Sequence, residues 1–502
     1  MDGQNIFYYP EVARESEAKM SKILEIRSRI ISGESSARAE VEKSLTTAKE
    51  KEDLHTLLEI LSDYALTRAD EIDAKIAKLR AEASDDKELE KEIIAKVGRF
   101  VGVPYVAKDN FLTKVGHTTA ASKILESFKS PIDATTIERL NEEGAILIGK
   151  VNLDAFAHGG STENSAFGVT KNAIDPTRVA GGSSGGSAVA VAANIVPFAL
   201  GSDTGGSIRQ PASFNGVVGM KPTYGMISRF GVVAMASSTD VIGPITKTIE
   251  DAEILCEILA GQDGKDSTIH KNFFEIEKTT PKNLKIGLIS ELMSEGIDDD
   301  VRARTLDFVK LLKKQGHTVE EVKLPMAKHA LAIYYIVTPA ELSSNMARFD
   351  GVRYGYRAKD AKTLDEVYGM SRDRGLTTEN KRRIMIGTFV LSSGYFDDYY
   401  LQAQKVRTLL IQEFDVLFKK YDFLIGPVAP TSAFKIGENI GDPLKMYLAD
   451  TMTTPASMAG LPAISLPAGK SRDGLPIGVQ IIGAQKSDAK LLAFAKSVEE
   501  KK

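Results

Sequence analysis

The chain has one cysteine, no tryptophan and six histidines among its 502 residues. A single cysteine excludes an intrachain disulfide framework and leaves no cysteine cluster for zinc. Cys256 lies in AEILCEILA, whose helical spacing favours a buried structural role. The histidines form no HExxH motif and no His/Cys spacing typical of a metal site. We therefore expect neither a metal site in this chain nor a Ser-His-Asp triad.

Long apolar runs are also lacking. The longest, residues 188–200, is interrupted by Asn194 and Pro197 and is too short to span a bilayer. Residues 1–19 contain no basic region followed by an apolar run, so they are unlike a secretory signal. The formal net charge of −4 argues against a broad basic surface that grips a polyanion. We expect a cytoplasmic protein with no membrane partner, and any nucleic acid should be held mainly by another chain.

Residues 11–98 are rich in Glu, Lys, Ala and Leu, with apolar residues at helical spacing. We interpret them as helices with breaks at Ser32–Gly33 and Ser84–Asp85. Two apolar stripes support this interpretation: Leu54, Leu57, Leu58 and Leu61, then Ile72, Ile76 and Leu79. The charged stretch AEASDDKELEKE is expected to be solvated surface rather than a binding arm. The predicted organisation is a helical N-terminal region, 1–98, packed on a second domain, 99–502.

From Phe100 onward, short apolar strands alternate with amphipathic helices. The segments AILIGKVN, IVPFALGS and KIGLIS are typical of buried strands, and TTIERLNEEG, DAEILCEILAG and DVRARTLDFVKLLKKQG are typical of helices. This alternation predicts an α/β fold in which helices cover a central sheet. The stretch 327–442 is more helical and is expected to form a subregion over the functional site.

Two glycine-serine clusters are the main candidates for chemistry: GGSSGGS, with Ser183 and Ser184, and DTGGS, which ends at Ser207. A nucleophilic serine needs preorganised backbone donors for the developing oxyanion, and the second cluster offers consecutive N–H groups beside a hydroxyl. It also needs a base. Lys108 ends the apolar strand GVPYVAK, where loss of hydration could let it lose its proton near neutral pH.

Three other interpretations compete with this one. Residues 144–150 fit GxxxxGK, but Val151 replaces the metal-binding Ser or Thr and AILI is typical of a strand. Ser184 satisfies GxSxG, yet the preceding NAIDPTRVAG is no strand, as that nucleophile elbow requires. Finally, the serines could simply cap the helix SAVAVAAN.

The motifs VAKDN, GGSSGGS and GSDTGGSIRQPA, with their spacing, resemble the amidase signature family. The resemblance implies a central mixed β-sheet covered by helices and a Ser–cis-Ser–Lys triad. In that triad Ser207 is the nucleophile, Ser183 relays the proton and Lys108 is the final base. The backbone N–H groups of Thr204, Gly205 and Gly206, with that of Ser207, are expected to hold the oxyanion.

Within that family, the segments GSTENSAFGVTKNAIDPTRVAGGSSGGSA and KRRIMIGTFVLSSGYFDDYY are similar to glutamine-hydrolysing subunits of tRNA-dependent amidotransferases. The resemblance implies that Arg383 binds the α-carboxylate of glutamine and that Asp450 meets its α-ammonium. Tyr334 is the matching tyrosine, although the adjacent Tyr335 could take that place. A role for His158 in the substrate pocket stays open.

The same resemblance implies partners. The chain is expected to join B and C subunits in a heterotrimer and to supply ammonia for converting Glu-tRNA(Gln) to Gln-tRNA(Gln). The tRNA would bind through the B subunit, and ATP and Mg²⁺ would bind on the partner, with no cofactor in this chain. The alternative is a stand-alone amidase acting on another small amide. Whether Asp-tRNA(Asn) is also a substrate stays open.

Overall fold

The computed structural model describes residues 21–271, 273–294 and 296–500, so the expectation for residues 1–19 lies outside them. Within these ranges, eleven strands form one sheet in the order β1-β3-β2-β4-β6-β5-β10-β11-β9-β7-β8. The strands are β1 (Leu57–Ile60), β2 (Pro104–Lys108), β3 (Ile146–Val151), β4 (Phe198–Asp203), β5 (Val218–Lys221), β6 (Val241–Thr246), β7 (Lys285–Ile289), β8 (Thr318–Val322), β9 (Phe423–Pro427), β10 (Ala463–Lys470) and β11 (Pro476–Gly483).

Helices cover both faces of this sheet. They are α1 (Lys22–Ser32), α2 (Ala37–Glu50), α3 (Ser62–Glu82), α4 (Asp86–Lys96), α5 (Thr135–Glu142), α6 (Gly185–Ala192), α7 (Arg209–Asn215), α8 (Ile249–Leu259), α9 (Asp299–Lys314), α10 (Ala327–Met346), α11 (Leu364–Gly375), α12 (Thr378–Val390), α13 (Gln402–Phe418), α14 (Pro443–Leu448), α15 (Thr454–Met458) and α16 (Asp488–Glu499). Short 3₁₀ segments occur at Glu52–Leu54, Lys123–Leu125, Ala155–Ala157 and Ser290–Met293, and Phe396–Leu401 forms a π-helix.

The sheet is mixed, as the resemblance implied. Strand β2 pairs in parallel with β3 and β4, and β7 pairs in parallel with β8 and β9. Between these two parallel groups, β6, β5, β10 and β11 run through antiparallel pairings. The predicted α/β fold with a central mixed sheet under helices is therefore confirmed.

The core lies on both faces of the sheet because side chains of successive strand residues point to opposite sides. On β2, Tyr105 and Ala107 join one buried cluster while Val106 joins another with the N-terminal helices. The Tyr105 ring stacks on Phe198 of the adjacent β4, with centroids 5.2 Å apart. A strand buried on both faces is apolar throughout, which explains the signal that β2 gives in the sequence.

One prediction for the N-terminal region is wrong. Leu57 and Leu58 belong to a strand rather than to a helical stripe, because β1 pairs antiparallel with β3 and Leu57 lies opposite Val151. Four leucines at positions 54, 57, 58 and 61 fit helical spacing, but this short segment gains ladder hydrogen bonds at the edge of the sheet. The second stripe is confirmed, since Ile72, Ile76 and Leu79 are buried on α3.

The remainder of the described N-terminal region is helical, with breaks where they were predicted. Helix α1 ends at Ser32, where Gly33 adopts a left-handed conformation, and Asp85 caps α4 by accepting from the Glu88 N–H. The charged stretch around α4 still buries Leu89 and Ile93. Because β1 lies within residues 1–98 and extends the central sheet, this region shares hydrogen bonds with the second predicted domain. The division at residues 98 and 99 stays a prediction.

The stretch 327–442 contains α10 to α13 together with the strand β9. Residues of α10 and α13 share one buried cluster with residues of β7, β8, β9 and β11, and α10 packs closely against α12. They carry Tyr334 and Arg383, which places this helical layer over the site described next. Across the described ranges, no helix has the length and apolar character needed to cross a membrane.

Candidate active site

Lys108 is the last residue of β2 and is fully buried. Its Nζ lies 2.8 Å from Ser183 Oγ and 2.9 Å from both Ser184 Oγ and Ser202 Oγ. Burial lowers the pKa of Lys108 from 10.5 to about 7, and the negative charges of Asp154, Asp203 and Asp240 offset part of that effect. A substantial fraction of this lysine is therefore neutral at physiological pH, so its nitrogen can accept a proton.

The first serine cluster packs directly on this lysine. The peptide bond between Gly182 and Ser183 is cis, and Ser183 and Ser184 are both fully buried. Ser184 occupies the N-cap of α6, but its hydroxyl makes no capping hydrogen bond and instead contacts Lys108 and the Ser202 carbonyl. The structure therefore does not support the alternative in which Ser184 merely caps a helix. Both hydroxyls belong to a polar cluster around Nζ.

The second cluster forms a loop between β4 and α7 that is fixed at both ends. Asp203 and Arg209 form an ion pair 3.0 Å long, and both side chains are fully buried. The Thr204 hydroxyl donates to Asp240 Oδ1 over 2.8 Å, and the Thr453 hydroxyl donates to the Gly205 carbonyl over 2.6 Å. These contacts use side chains and a carbonyl oxygen, so none of them occupies an N–H group of the loop.

Glycine is required in this loop for close approach. Gly206 has a φ of +151°, and a Cβ there would collide with the Thr453 hydroxyl. At Gly205 a Cβ would lie 2.8 Å from the Tyr334 ring. The loop is thus enclosed by Thr453 on one side and Tyr334 on the other. Its Ser207 keeps 8% of its surface exposed, whereas Ser183 and Lys108 are inaccessible.

The loop of Ser207 is tied to the first cluster through the backbone. The Ser184 N–H donates to the Ser207 carbonyl over 3.1 Å. The structure therefore brings Lys108 and Ser183 into direct contact and holds Ser207 beside them through this bond. Their assignment as base, relay and nucleophile stays a prediction, as does the assignment of Thr204, Gly205 and Gly206 to the oxyanion hole.

Arg383 lies on α12 and is almost fully buried, with 3% exposed. Its Nε donates to Glu379 Oε1 over 2.7 Å, one helical turn away, and Tyr447 donates to the same oxygen over 3.0 Å. The guanidinium carbon lies 5.1 Å from the Tyr335 ring centroid and 5.4 Å from that of Tyr447. Although burial opposes it, these neighbours hold the pKa of Arg383 well above its usual value. The site thus contains a permanent, oriented cation.

Asp450 supplies the opposite charge. Tyr335 donates to Asp450 Oδ2 over 3.3 Å, and burial raises the pKa of Asp450 from 3.8 to about 7, while Arg383 and Tyr335 act against that shift. The Tyr334 ring packs on Gly205, and the nearby Arg383 charge offsets part of the rise in the pKa of Tyr334 that burial causes. Both tyrosines are therefore at the site, one against the serine loop and the other against Asp450. Binding of glutamine by Tyr334, Arg383 and Asp450 stays a prediction.

Several residues of the site were missed in the sequence. They are Ser202 beside Lys108, Thr453 on the Gly205 carbonyl, and Glu379 and Tyr447 around Arg383. Glu379 could have been found, because acidic and basic residues four apart on a helix face one another. Ser202 lies within the motif GSDTGGSIRQPA, but nothing in that motif marks its contact with Lys108. Thr453 and Tyr447 reach their partners from distant segments, and no spacing signal marks those contacts.

The rejected motif at residues 144–150 is a strand, as predicted, since it forms most of β3. Its Lys150 is fully buried and pairs with Asp109 over 3.0 Å. Its Nζ also contacts the carbonyl oxygens of Phe111 and His117. A lysine held in this way supports the segment that follows Lys108 and does not bind a nucleotide phosphate.

The prediction for Cys256 is also confirmed, because this residue is buried in α8.

A buried lysine in contact with serine hydroxyls, beside a glycine-rich loop, is a combination that can support nucleophilic catalysis by serine. A family model for amidases matches residues 40–492. The chain therefore belongs to the amidase signature family.

Within this family, several similar proteins share one description. The chain is 52% identical over 454 residues to the A subunit of glutamyl-tRNA(Gln) amidotransferase from Geobacillus sp. (strain WCH70), covering 90% of both chains. It is 50% identical over 469 residues to the protein of that name from Geobacillus thermodenitrificans (strain NG80-2), covering 89% of this chain and 96% of the relative. The crystal structure of the corresponding glutamyl-tRNA(Gln) amidotransferase protein from Thermotoga maritima superposes with a TM-score of 0.69 at 46% identity, covering 80% of this chain and 83% of that one.

Proposed function

We propose that this chain is the glutaminase subunit of a tRNA-dependent amidotransferase. It hydrolyses glutamine and supplies ammonia to a partner subunit that converts Glu-tRNA(Gln) to Gln-tRNA(Gln). The observation that carries the proposal is the buried Lys108–Ser183 contact beside the Ser207 loop, in a chain half identical to such subunits. Arg383 and Asp450 at the same site offer one positive and one negative charge, which suits an amino acid better than a simple amide.

The first half of the reaction forms an ester. Ser207 Oγ attacks the side-chain carbonyl carbon of glutamine, its proton passes to Ser183 Oγ, and the Ser183 proton passes to neutral Lys108 Nζ. The N–H groups of Thr204, Gly205 and Gly206 stabilise the oxyanion that develops on the carbonyl oxygen. When the C–N bond breaks, the proton returns along the same path to the leaving nitrogen. Ammonia and a γ-glutamyl ester on Ser207 result.

The second half restores the enzyme. Water attacks the ester carbonyl and gives its proton through Ser183 to Lys108. The C–O bond to Ser207 then breaks, the proton returns to Ser207 Oγ, and glutamate leaves. Splitting one amide hydrolysis into two steps lets the same base serve each of them.

Recognition of glutamine uses the charged residues next to this machinery. In the proposal, the Arg383 guanidinium binds the α-carboxylate and the Asp450 carboxylate binds the α-ammonium. Tyr334 packs on the Gly205 backbone and is near enough to Arg383 to be affected by its charge, so we propose that it positions the substrate relative to the oxyanion donors. An amide that lacks either ionic group would leave part of the hydrogen-bonding capacity of Arg383 or Asp450 unused in a buried site, which disfavours its binding.

The remaining chemistry is assigned to partners. Activation of a tRNA-bound glutamate requires ATP and Mg²⁺, which we place on the B subunit together with the tRNA. The C subunit completes a cytoplasmic heterotrimer. The net charge of −4 argues against a broad basic surface for tRNA on this chain. Because free ammonia is mostly protonated at neutral pH, the proposal includes an enclosed path from Ser207 to the partner.

The experiment compares the purified chain alone with the chain assembled with its B and C subunits. The chain alone should hydrolyse glutamine weakly, bind neither ATP nor tRNA tightly, and form no Gln-tRNA(Gln). The assembly should form it with ATP and glutamine. If the single chain converted Glu-tRNA(Gln) by itself, the division of labour would be wrong. If it hydrolysed other small amides efficiently and glutamine poorly, a stand-alone amidase would be the better description.

A further inference from the structure

We infer that His158 is a specificity residue that donates a hydrogen bond from Nε2 to the α-carboxylate held by Arg383. The inference rests on the proposed glutamine site and adds a neutral donor to its charged residues. His158 is fully buried, on the chain that follows the 3₁₀ segment 155–157. Three features carry the argument: the tautomer of its ring, its unpartnered nitrogen and its position.

The tautomer follows from the orientation of Asn380 on α12. Asn380 Oδ1 accepts from the Thr377 N–H in a capping box, so the amide nitrogen lies on the other side. That nitrogen donates to the Ala155 carbonyl over 2.9 Å and lies 2.7 Å from His158 Nδ1. Since an amide nitrogen only donates, Nδ1 must accept. A neutral imidazole that accepts at Nδ1 carries its proton on Nε2.

The Nε2 atom is a buried donor with no hydrogen-bond partner among the described residues. A buried N–H group without a partner is costly, so such groups are expected to meet a ligand or water. Burial, with a smaller effect from the nearby Arg383 charge, lowers the pKa of His158 well below its usual value. The ring therefore stays neutral, and its proton remains available for donation.

The position of His158 connects it to both ends of the amino-acid site. On one side, Asn380 and Arg383 lie one turn apart on α12, where Asn380 contacts the His158 ring and Arg383 packs over the Tyr335 ring. On the other side, the chain continues to Gly160, where a Cβ would lie 3.5 Å from Asp450 Oδ1. The Gln210 side chain fixes this segment by donating to the Gly160 carbonyl over 2.8 Å. Arg383 is near enough for its charge to act on the His158 ring, and we infer that the free Nε2 donor faces an anion bound to Arg383.

The test compares His158→Met with His158→Gln. Both variants lose the Nδ1 acceptor for Asn380. Only the His158→Gln variant keeps an N–H donor at the tip of the side chain. His158→Met should raise the KM for glutamine by roughly 10- to 100-fold, the range for a lost hydrogen bond to a charged group. His158→Gln should recover most of that loss. Hydrolysis of a small amide that lacks the α-carboxylate should be affected to the same extent by the two substitutions, because that substrate offers no anion to the donor.

The exposed His329→Met serves as the matched control and should behave as the wild type. A glutamine KM for His158→Met within about 2-fold of the His158→Gln value would overturn the inference. A wild-type assembly that hydrolyses no glutamine would instead overturn the proposed function and, with it, this assignment. The two failures are therefore distinguishable.

A second measurement covers the case in which neither variant folds. In Ser207→Ala protein labelled with ¹⁵N-histidine, the His158 resonances should show the Nε2–H tautomer. That proton should shift downfield when glutamine binds and should not shift with the amide that lacks the carboxylate. An Nδ1–H tautomer, or an Nε2–H signal insensitive to glutamine, would overturn the inference.

Discussion

Lys108 Nζ and Ser183 Oγ lie 2.8 Å apart, and neither side chain has any exposed surface. The same nitrogen is surrounded by the hydroxyls of Ser184 and Ser202. Among the residues that the structure describes, its charged form is stabilised by the more distant Asp154, Asp203 and Asp240 rather than by a carboxylate in direct contact. This environment favours a neutral amine, which is the form that a general base requires.

Lys108→Arg should therefore be nearly as damaging as Lys108→Ala. Arginine keeps the positive charge but stays protonated throughout the accessible pH range, so it cannot accept the proton from Ser183. We expect a loss of at least about 100-fold in kcat for glutamine hydrolysis, the lower bound for general-base catalysis. Thermal unfolding of each variant controls for misfolding. Substantial turnover by a folded arginine variant would mean that Lys108 acts electrostatically or structurally.

The pH dependence should differ between two kinds of substrate. Burial lowers the pKa of Lys108 to about 7 and raises the pKa of Asp450 to about 7, so acid converts both residues to the wrong form. Below pH 7, kcat/KM for glutamine should fall with a logarithmic slope approaching about two, because both groups must lose a proton.

An amide without the α-ammonium depends on Lys108 alone, so its slope should approach about one. Asp450→Asn should reduce the slope for glutamine in the same way, although its activity will be low. The measurement is kcat/KM between about pH 5 and pH 9, the interval that brackets both transitions. Equal slopes for the two substrates in the wild type would contradict the role given to Asp450.

Arg383→Ala should raise the glutamine KM far more than it affects an amide lacking the α-carboxylate. Losing one partner of a buried charge pair costs roughly 2–5 kcal/mol, much of it from the ion left unpaired. Steady-state kinetics on both substrates check the prediction. Losses of the same size on both would point to a folding defect instead.

Glu379→Gln should give a milder change of the same kind. In this variant, the side-chain amide oxygen at position 379 can still accept a hydrogen bond from Arg383 Nε. Because that oxygen carries no full charge, the bond is weaker and the Arg383 guanidinium is held less firmly. We expect the glutamine KM to rise by less than in Arg383→Ala, with kcat little changed. The matched control is Asp373→Asn, because Asp373 pairs with the exposed Lys381 over 2.8 Å beside the same helix. If Glu379→Gln and Asp373→Asn had the same KM for glutamine, Glu379 would have no part in orienting Arg383.

Much of the fold could be predicted from local patterns. The strands that end at Lys108 and Asp203 are apolar because both faces of the sheet are covered, and the long helices show clear periodicity. The segment Leu57–Ile60 was misassigned because its leucines fit two periods, and only the pairing with β3 distinguishes them. The pairing of strands from distant segments produces no pattern at a fixed spacing in the sequence.

The residues of the site likewise fall into those that local sequence motifs predict and those that only the structure shows. The serine clusters and Lys108 lie in compact motifs, so their sequence alone suggested a reaction. The Thr453 hydroxyl bonds to the Gly205 carbonyl across 248 residues, and the Tyr447 hydroxyl reaches Glu379 across 68. Contacts of this range depend on how the helices pack over the sheet. The candidate triad could thus be inferred from sequence, whereas the residues that support it required the structure.

The central claim is that Ser207 releases ammonia from glutamine for a reaction that takes place on a partner. The most direct test uses Ser207→Ala in the assembled enzyme with ATP and Glu-tRNA(Gln), supplied with either glutamine or an ammonium salt. We expect no Gln-tRNA(Gln) with glutamine and near wild-type formation with ammonium, because the partner's chemistry does not use this serine. Continued amidation from glutamine, or loss of amidation from both nitrogen sources in a folded assembly, would contradict it.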